Sequence, residues 1–293
     1  MKLSLGPIQY FWPRDTIYEF YDLMLDLPID IVYLGETVCA KRRTMKLQDW
    51  LSIASTLTSS GKQVVLSTLT LIEAISELNS VRRICRQADY LIEANDMAAV
   101  QILSNKGIGF VAGPFINIYN ARSLAMLYKL GLKRWVVPVE LSQETLNLIL
   151  TDSNFDLSGD VLETELFCYG KLPLAYSARC FTARSHNLQK DDCQFVCMDY
   201  PDGLDVISQD KKTVFTMNGI QTQSGITCDL SYDIAQIINT GVDILRISPQ
   251  LKNIPTVIHA FRNALDNSSL DISCDDQHCN GYWHNKAGFM SCS

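Results

Sequence analysis

The chain has 293 residues, 47% of them hydrophobic, so it is long and apolar enough to bury the core of one large domain. Its formal net charge is −7, with 25 basic against 32 acidic residues, and no basic block is longer than Lys41–Arg43. An acidic chain without a basic stripe is poorly suited to hold phosphates, so direct binding of nucleic acid is disfavoured.

Targeting signals and membrane spans are not expected either. The first apolar run soon meets Arg14 and Asp15, which makes it too short for a signal peptide. No apolar run reaches the roughly 18 residues that a membrane span needs. Ten cysteines without an export signal indicate a reducing compartment, where metal binding is more common than disulfides. We therefore expect a cytoplasmic protein.

Short apolar runs alternate with amphipathic segments along most of the chain, which is the pattern of an α/β protein. The apolar runs predict eight strands, at 3–8, 29–35, 63–70, 89–96, 108–114, 133–141, 162–170 and 242–248. Helical spacing predicts helices from about Pro13, over 45–57, 71–84, 97–103 and 120–130, after Ser142 as the N-cap, and over 231–239 and 254–265.

Eight strands, most of them followed by a helix, predict an α/β fold of the (β/α)8 TIM-barrel type. A doubly wound open sheet is the alternative, because periodicity does not show closure. The alternation breaks at 171–227, which we interpret as an insertion after strand seven that contains a hairpin over 205–218. The turn-rich remainder, 266–293, is expected to dock on the barrel as a tail. No linker divides the chain, so a single barrel domain over 1–293 is predicted.

Three cysteines in the insertion, Cys180, Cys193 and Cys197, follow the spacing C-x12-C-x3-C in a polar segment. Thiolates gathered in a loop suit zinc or an iron–sulfur cluster. In a (β/α)8 barrel the reactive groups gather at the C-terminal ends of the strands. Cys39 follows strand two at the same rim as the insertion, so we expect it to be the fourth ligand.

The spacing leaves the metal open. Four thiolates satisfy a structural zinc ion, and a 4Fe–4S cluster needs the same four ligands. The C-x3-C-x2-C motif of radical S-adenosylmethionine enzymes would need a third cysteine at position 200, after Cys193 and Cys197. That position is Tyr200, so the motif is incomplete. Cys85, Cys168 and Cys228 are expected to be core residues.

Several long runs resemble one protein family. These are ELFCYGKLPLAYSARCF followed by C-x3-C, GPFINIYN, and CNGYWHNKAG near the C-terminus. They resemble the signature of the collagenase-like peptidase family of unclassified catalytic type. The runs IDIVYLGETVCAKRR, KQVVLSTLTLIEA and LIEAND resemble a branch of that family that acts in oxygen-independent ubiquinone biosynthesis. The resemblance extends over essentially the whole chain.

This resemblance implies a 4Fe–4S cluster whose irons are bound by Cys39, Cys180, Cys193 and Cys197. It also implies a heterodimer with the homologous protein UbiU and a lipid-carrier protein, UbiT, as accessory. The implied activity is hydroxylation of the aromatic ring of a polyprenylated quinone precursor without molecular oxygen. Prephenate is the implied source of the hydroxyl oxygen.

Two departures from the family pattern argue against peptidase activity. Tyr169 precedes Gly170 where related chains carry a histidine, and the run before Cys193 reads NLQKDD instead of being basic and glycine-containing. The four histidines lie in no H-E-x-x-H motif and beside no G-x-S-x-G elbow. We therefore expect a subunit of a hydroxylase and not an active peptidase.

Alternatives remain for several features. The metal could be structural and the chain a scaffold for a catalytic partner, or the chain could act in RNA hydroxylation, which its acidic balance disfavours. Arg246 is a candidate clamp for a carboxylate such as that of prephenate, or else a member of an ion pair.

Arg42 and Arg43 could favour the thiolate of Cys39. A candidate zinc set near the C-terminus, for which a docked structural tail is the favoured interpretation, is Cys274, His278, Cys279 and His284.

Overall fold

The computed structural model describes residues 1–87, 89–152, 161–267 and 278–292. Its strands, in chain order, are β1 (Lys2–Leu5), β2 (Ile31–Leu34), β3 (Gln63–Ser67), β4 (Leu91–Ala94), β5 (Phe110–Ala112), β6 (Leu132–Val136), β7 (Glu163–Tyr176), β8 (Leu204–Ile207), β9 (Thr213–Asn218), β10 (Gln221–Asp229), β11 (Ile244–Ile247) and β12 (His278–Cys279). Its α-helices are α1 (Arg14–Leu23), α2 (Leu47–Ser59), α3 (Ile75–Ile84), α4 (Met97–Ser104), α5 (Ala121–Lys129), α6 (Gln143–Leu150), α7 (Phe181–Ser185), α8 (Ile234–Ile238) and α9 (Ile254–Asn267).

Eight of these strands close into a parallel barrel. Strands β1 to β7 pair in sequence order, and β11 pairs in parallel with both β1 and β7. At the closure Leu3 lies opposite Leu245, which lies opposite Leu166 on its other side. The prediction of a (β/α)8 barrel is therefore confirmed, and the open sheet is excluded.

Alternation of side chains along the strands explains why the barrel forms. Successive residues of a strand point to opposite faces, so one set fills the interior and the other packs under the helices. The apolar interior set is Ile31, Tyr33, Val65, Val111, Val136 and Ile244. Leu5, Leu34 and Leu66 belong to the larger core outside the barrel wall.

The helices begin where capping chemistry allows them to. Asp96 accepts a hydrogen bond from the Ala98 amide at 2.7 Å and Asn120 one from the Ser123 amide at 2.9 Å, each satisfying an otherwise unpaired donor of the first turn. Ser142 caps α6 as predicted, although at a longer 3.3 Å from the Thr145 amide. None of the helices in the described ranges is both long and apolar enough to cross a membrane.

Helix α3 starts later than the sequence predicts. The expected helix covers 71–84, whereas the observed one begins at Ile75. The Glu77 carboxylate accepts hydrogen bonds from the amides of Glu73 and Ala74, which fixes the helix start there. Residues 71–74 consequently run over the surface as a loop.

The insertion contains more sheet than the sequence predicts. Strand β7 continues to Tyr176, beyond the predicted end at 170, and pairs antiparallel with β10, which pairs with β9. Strands β8 and β9 form the expected hairpin, but β10 was not predicted. Its buried positions include Gln221 and Gln223, which are polar and hydrogen-bonded, so hydrophobic periodicity does not reveal the strand.

The described part of the C-terminal tail, 278–292, contacts the barrel. Strand β12 pairs with β10, with Cys279 opposite Cys228. Trp283 is buried, and its carbonyl accepts a hydrogen bond from the Gln143 amide at the start of α6. Cys274 lies outside the described residues.

Candidate functional site

Cys39 lies in the loop that follows β2, at the C-terminal end of the barrel. The Glu36 carboxylate accepts hydrogen bonds from the amides of Val38 at 2.8 Å and Cys39 at 3.0 Å. These two contacts bend the loop, because one side-chain oxygen satisfies two successive donors. The thiol is half-buried, and burial raises the pKa of Cys39 to about 11 although the charge of Arg42 opposes the rise.

Cys180 lies where β7 has ended and the short helix α7 begins. It is the N-cap residue of that helix, and its sulfur accepts a hydrogen bond from the Ala183 amide at 3.4 Å. The chain is tied to the sheet on both sides of Cys180, because the Ser177 amide donates to the Ile220 carbonyl at 3.0 Å and the Phe181 amide to the Gly219 carbonyl at 3.1 Å. The position of this thiol therefore depends on the extension of the sheet that the insertion forms.

Cys193 directly follows a 3₁₀ turn over Lys190–Asp192, and Cys197 lies within a second one over Val196–Asp199. Between the cysteines, Gln194 and Phe195 have φ values of 49° and 56°, in the left-handed region. Such residues reverse the chain sharply. The C-x3-C spacing is therefore folded back on itself and not extended.

A lysine joins the two cysteine-bearing loops. Lys41 Nζ donates to the Lys190 carbonyl at 2.6 Å and to Asp191 Oδ1 at 2.8 Å. Asp191 is almost fully exposed, so its ion pair adds little, whereas the carbonyl contact is partly buried. Lys41 thus holds the loop that follows β2 against the loop that leads into Cys193.

The four predicted cysteines share one electrostatic neighbourhood. Burial raises the pKa of Cys197, Arg42 lowers it, and the charges of Cys180 and Cys193 raise it further. The charge of Cys197, which lies in the insertion, in turn raises the pKa of Cys39 in the loop after β2. The thiols thus come from two segments that the fold brings together, and all four are half-buried.

Arg42 is a buried cation beside these thiols. Its Nη1 donates to the Gln9 carbonyl at 2.6 Å and its Nη2 to Asn218 Oδ1 at 2.7 Å. Burial works to lower the pKa of Arg42, but the charges of Glu36, Cys197 and Cys39 outweigh that effect and the pKa is raised. Its Nε has no hydrogen-bond partner among the residues that the structure describes. Arg43 differs, because it is exposed and donates to the Ala40 carbonyl at 3.3 Å.

The donor set fits a thiolate-bound metal group in its chemistry. Four half-buried thiols beside a buried guanidinium provide soft ligands and compensate negative charge. Within the described residues, no group of three or more His, Cys, Asp or Glu side chains is arranged to hold a metal ion as it stands. The fit therefore rests on the kind of ligands and their neighbourhood, with no coordination geometry implied.

Arg246 does not lie at the mouth as a free clamp for a carboxylate. It is buried within β11, where its Nε donates to Glu165 at 2.7 Å and its Nη1 to Glu93 at 2.8 Å. Its guanidinium also lies 4.1 Å from the centre of the Tyr33 ring. Two carboxylates already neutralise this one cation, so the ion-pair alternative is the one that the structure supports.

The network around Glu165 was not predicted from the sequence. This carboxylate accepts hydrogen bonds from Ser4 at 2.6 Å and Tyr33 at 2.5 Å, besides Arg246, and lies 3.7 Å from Arg134. All these groups are buried inside the barrel. The available signal was the presence of charged residues within otherwise apolar strands, since a charge is almost never fully buried without a partner.

The described members of the candidate C-terminal zinc set contact different side chains and not one another. Cys279 is buried beside Cys228, whereas His284 Nε2 lies 2.9 Å from Asp233. His278 Nε2 lies 3.2 Å from the Ser291 hydroxyl. These three residues therefore make structural contacts that hold the tail, and they are not arranged around a common metal position.

Comparisons with known proteins identify the family. A solved U32 peptidase is 11% identical, covers 85% of this chain and 93% of its own, and has a TM-score of 0.47. A xylose isomerase domain-containing protein from Salmonella typhimurium is 9% identical, with 91% and 95% covered and a TM-score of 0.41. A 2,3-dimethylmalate lyase is 12% identical, with 94% and 86% covered and a TM-score of 0.40. The family model of peptidase family U32 matches residues 18–281, and the chain therefore belongs to that family.

Proposed function

We propose that this chain is the UbiV-type iron–sulfur subunit of a cytoplasmic, oxygen-independent hydroxylase. In this proposal it forms a heterodimer with UbiU, and UbiT carries the lipid. The substrate is a polyprenylated aromatic precursor of ubiquinone, and prephenate provides the hydroxyl oxygen. The ligands of the proposed 4Fe–4S cluster are Cys39, Cys180, Cys193 and Cys197.

One observation carries this proposal. Cys197 interacts electrostatically with Cys39, Cys180 and Cys193, although Cys39 is far from the other three in sequence. Four neighbouring cysteines would bind a metal group as thiolates, and the positive charge of the metal would compensate the repulsion between them. Their shared neighbourhood therefore favours a bound metal group over unrelated thiols.

The surrounding residues suit a redox role. Bound to four thiolates, a 4Fe–4S cluster supplies one-electron transfer at a potential set by charge, hydrogen bonds and exposure. The buried Arg42 places a positive charge beside Cys39 and Cys197, which stabilises the reduced, more negative state. Glu36 shapes the loop of Cys39, and Lys41 holds that loop against the insertion.

Peptidase chemistry, which the family name suggests, finds less support in the side chains. The His284–Asp233 pair has no hydroxyl or thiol nucleophile bonded to the histidine among the described residues. Ser185 contacts His186 at 3.0 Å, but the other ring nitrogen of that histidine meets the Tyr200 hydroxyl. The carboxylate and the serine thus belong to different histidines, and a relay needs both on one ring.

A scaffold role is the second candidate. It is favoured by Arg246, whose charge is already compensated by Glu165 and Glu93 and is therefore not free to pair with a substrate carboxylate. In that case the partner chain holds prephenate, and the metal group of this chain supports the partner. The two candidates differ in whether the cluster changes oxidation state during turnover.

The test is anaerobic co-purification with UbiU, followed by a visible spectrum and counts of iron, sulfide and zinc. The proposal predicts brown protein with about four irons and four sulfides bound by this chain. Cys39→Ala is expected to lose the cluster and the anaerobic hydroxylation. Cys292→Ala is the matched control, because Cys292 is half-buried like the four ligands but lies in the tail.

Other outcomes would decide against parts of the proposal. Colourless protein with one zinc ion would make the site structural and move the chemistry to the partner. Full iron content in Cys39→Ala would remove Cys39 from the ligand set. A cluster that stays in one oxidation state throughout turnover would favour the scaffold role.

A further inference from the structure

Cys228 and Cys279 lie directly opposite each other on neighbouring strands. Cys228 belongs to β10 and Cys279 to β12, and the two strands run parallel. Neighbouring strands are about 4.8 Å apart, and opposite residues of parallel strands direct their side chains to the same face. A disulfide usually joins Cα atoms that are roughly 4.4 to 6.8 Å apart. The register therefore places the two thiols where a disulfide can form.

The pair is distinct from the other buried cysteine of this region. Cys228 and Cys279 are both buried and both free thiols. Cys168 is engaged elsewhere, because its Sγ donates to the Leu166 carbonyl at 3.3 Å. In the register of β7 and β10 the residue opposite Cys228 is Gly170 and not Cys168. Cys168 is therefore a neighbour of the pair and not a member of it.

The two thiols of the pair do not ionise alike. The Cys228 thiol donates a hydrogen bond that lowers the pKa of Cys279, although burial opposes this change. The same hydrogen bond, together with burial and the charge of Cys279, raises the pKa of Cys228 well above its ordinary value. Because the thiolate is the nucleophilic form, Cys279 is the thiol that reacts first. Cys228 keeps its proton beside it.

A small cavity touches both cysteines. Its volume is about 20 Å³, and about 10 to 15 Å³ is the least that holds one water molecule. The cavity therefore admits a molecule of the size of water or slightly larger. The rest of its lining is mostly apolar, with Leu166, Leu172 and Leu230 among the side chains. An oxidant that reaches the pair through this cavity has to be small and uncharged.

One polar group at this cavity lacks a partner. Trp283 lines the cavity and is only 4% exposed, and its indole N–H makes no hydrogen bond within the described part of the chain. A buried donor without an acceptor is costly, so an oxygen atom in the cavity would stabilise this arrangement. Hydrogen peroxide provides two acceptor oxygens, is little larger than water and carries no charge.

We infer that Cys228 and Cys279 form a peroxide-reactive thiol pair. The Cys279 thiolate attacks one oxygen of hydrogen peroxide, the O–O bond breaks, and uptake of one proton leaves a sulfenic acid and a water molecule. The sulfur of Cys228 then bonds to the sulfenic sulfur, and the hydroxyl leaves with the Cys228 proton as a second water molecule.

The reaction oxidises two thiols by two electrons and reduces one peroxide to two water molecules. The resulting disulfide joins the C-terminal tail covalently to β10 of the insertion. A dithiol reductant reverses it by thiol–disulfide exchange. The inference uses none of the four proposed cluster ligands, so it stands or falls independently of the proposed function.

The test adds a small excess of hydrogen peroxide to the anaerobically purified full-length protein and maps its peptides without reduction. We expect a peptide pair linked through Cys228 and Cys279, which dithiothreitol separates again. Cys168→Ala is the matched control, because Cys168 is buried and its charge reaches Cys228. The link should form in this variant as it does in the unsubstituted protein.

Substitutions within the pair assign the two roles. In Cys228→Ala the sulfenic acid has no thiol to condense with, so dimedone should label Cys279 at least about tenfold more than in the unsubstituted protein. In Cys279→Ala, dimedone should leave Cys228 unlabelled, because no thiolate attacks the peroxide first.

A further substitution tests the cavity. Trp283→Phe keeps a ring and removes the indole N–H, so the link should form about three- to tenfold more slowly. Trp135→Phe is the control, because the Trp135 indole N–H is also buried and without a described partner but lies outside this cavity. It should leave the rate unchanged.

Several results would overturn the inference. One is the absence of the link in folded protein at a peroxide concentration that oxidises the half-buried Cys292. Another is a link from Cys228 to Cys168 in place of Cys279. Dimedone labelling of Cys228 in Cys279→Ala would reverse the assigned roles, and equal rates in Trp283→Phe and Trp135→Phe would exclude peroxide binding in the cavity.

Discussion

Arg42 Nη2 lies 2.7 Å from Asn218 Oδ1, which joins the loop that follows β2 to the end of β9 in the insertion. The same guanidinium reaches the Gln9 carbonyl, which also accepts from Asn218 Nδ2 at 2.8 Å. Three distant segments therefore meet at one buried cation. The thiols of Cys39 and Cys197 lie beside that cation, so their relative position depends on it.

The first prediction concerns this cation. Arg42→Met should lower the free energy of unfolding by about 3 kcal/mol, because it leaves buried acceptors without a donor. Arg43→Met should change it by less than about 0.5 kcal/mol, because Arg43 is exposed. Urea unfolding followed by circular dichroism measures both. Equal effects of the two neighbouring substitutions would contradict the central position of Arg42.

The second prediction concerns Gly35, between β2 and the loop of Cys39. Its φ is +135°, and an added Cβ would lie 2.6 Å from the Ser67 carbonyl oxygen. Gly35→Ala should therefore cost about 2 to 4 kcal/mol of stability, since both backbone strain and a clash oppose it. Gly61→Ala has strain at a φ of +89° but no atom within 4 Å, so about 1 kcal/mol is expected. Thermal unfolding of the two variants would show whether the clash contributes.

The third prediction concerns the pH dependence of stability. Burial alone would raise the pKa of Glu165, but Arg246 and Arg134 outweigh it and hold the pKa below its usual range. A lowered native pKa means that the ionised carboxylate stabilises the fold. This contribution is complete above the ordinary glutamate pKa of about 4.3 and is lost as the pH falls through the lower native value.

Glu165→Gln tests that linkage. It should lower the free energy of unfolding at pH 7 by about 3 to 5 kcal/mol, because Arg246 and Arg134 lose a buried counter-charge. It should also flatten the loss of stability in acid. Glu19→Gln, on the exposed face of α1, is the control and should leave both quantities unchanged. An unaltered acid slope in Glu165→Gln would show that other carboxylates govern the acid transition.

The fourth prediction concerns thiol accessibility. In metal-free protein, iodoacetamide should modify the half-buried Cys39, Cys180, Cys193 and Cys197 before the buried cysteines, which are Cys85, Cys168, Cys228 and Cys279. Reconstitution with iron and sulfide should protect the first group and leave Cys292 reactive. Mass spectrometry of the peptides measures each site. Equal labelling of Cys197 before and after reconstitution would remove it from the ligand set.

Local patterns in the sequence are sufficient for much of the fold. Short apolar runs located the eight barrel strands, because each strand is buried on both sides, filling the interior with one set of side chains and packing under helices with the other. Ser142 was recognisable as a cap because its side chain acts on its own neighbours. Strand β10 was not predicted, because its buried positions include Gln221 and Gln223. Both side-chain amides donate to Gln9, which is far away in the chain.

The sequence by itself determined the fold class and pointed to Cys180, Cys193 and Cys197 as candidate ligands, since periodicity, residue type and spacing are properties of neighbouring residues, whereas Cys39 was added from the expected barrel. Only the tertiary structure decided that β11 pairs with both β1 and β7, which closes the barrel. It also decided that Arg246 is paired with Glu165 and Glu93 and that Arg42 lies beside the thiols. These relationships join residues distant in sequence, and burial and charge compensation select them only when the whole chain is packed.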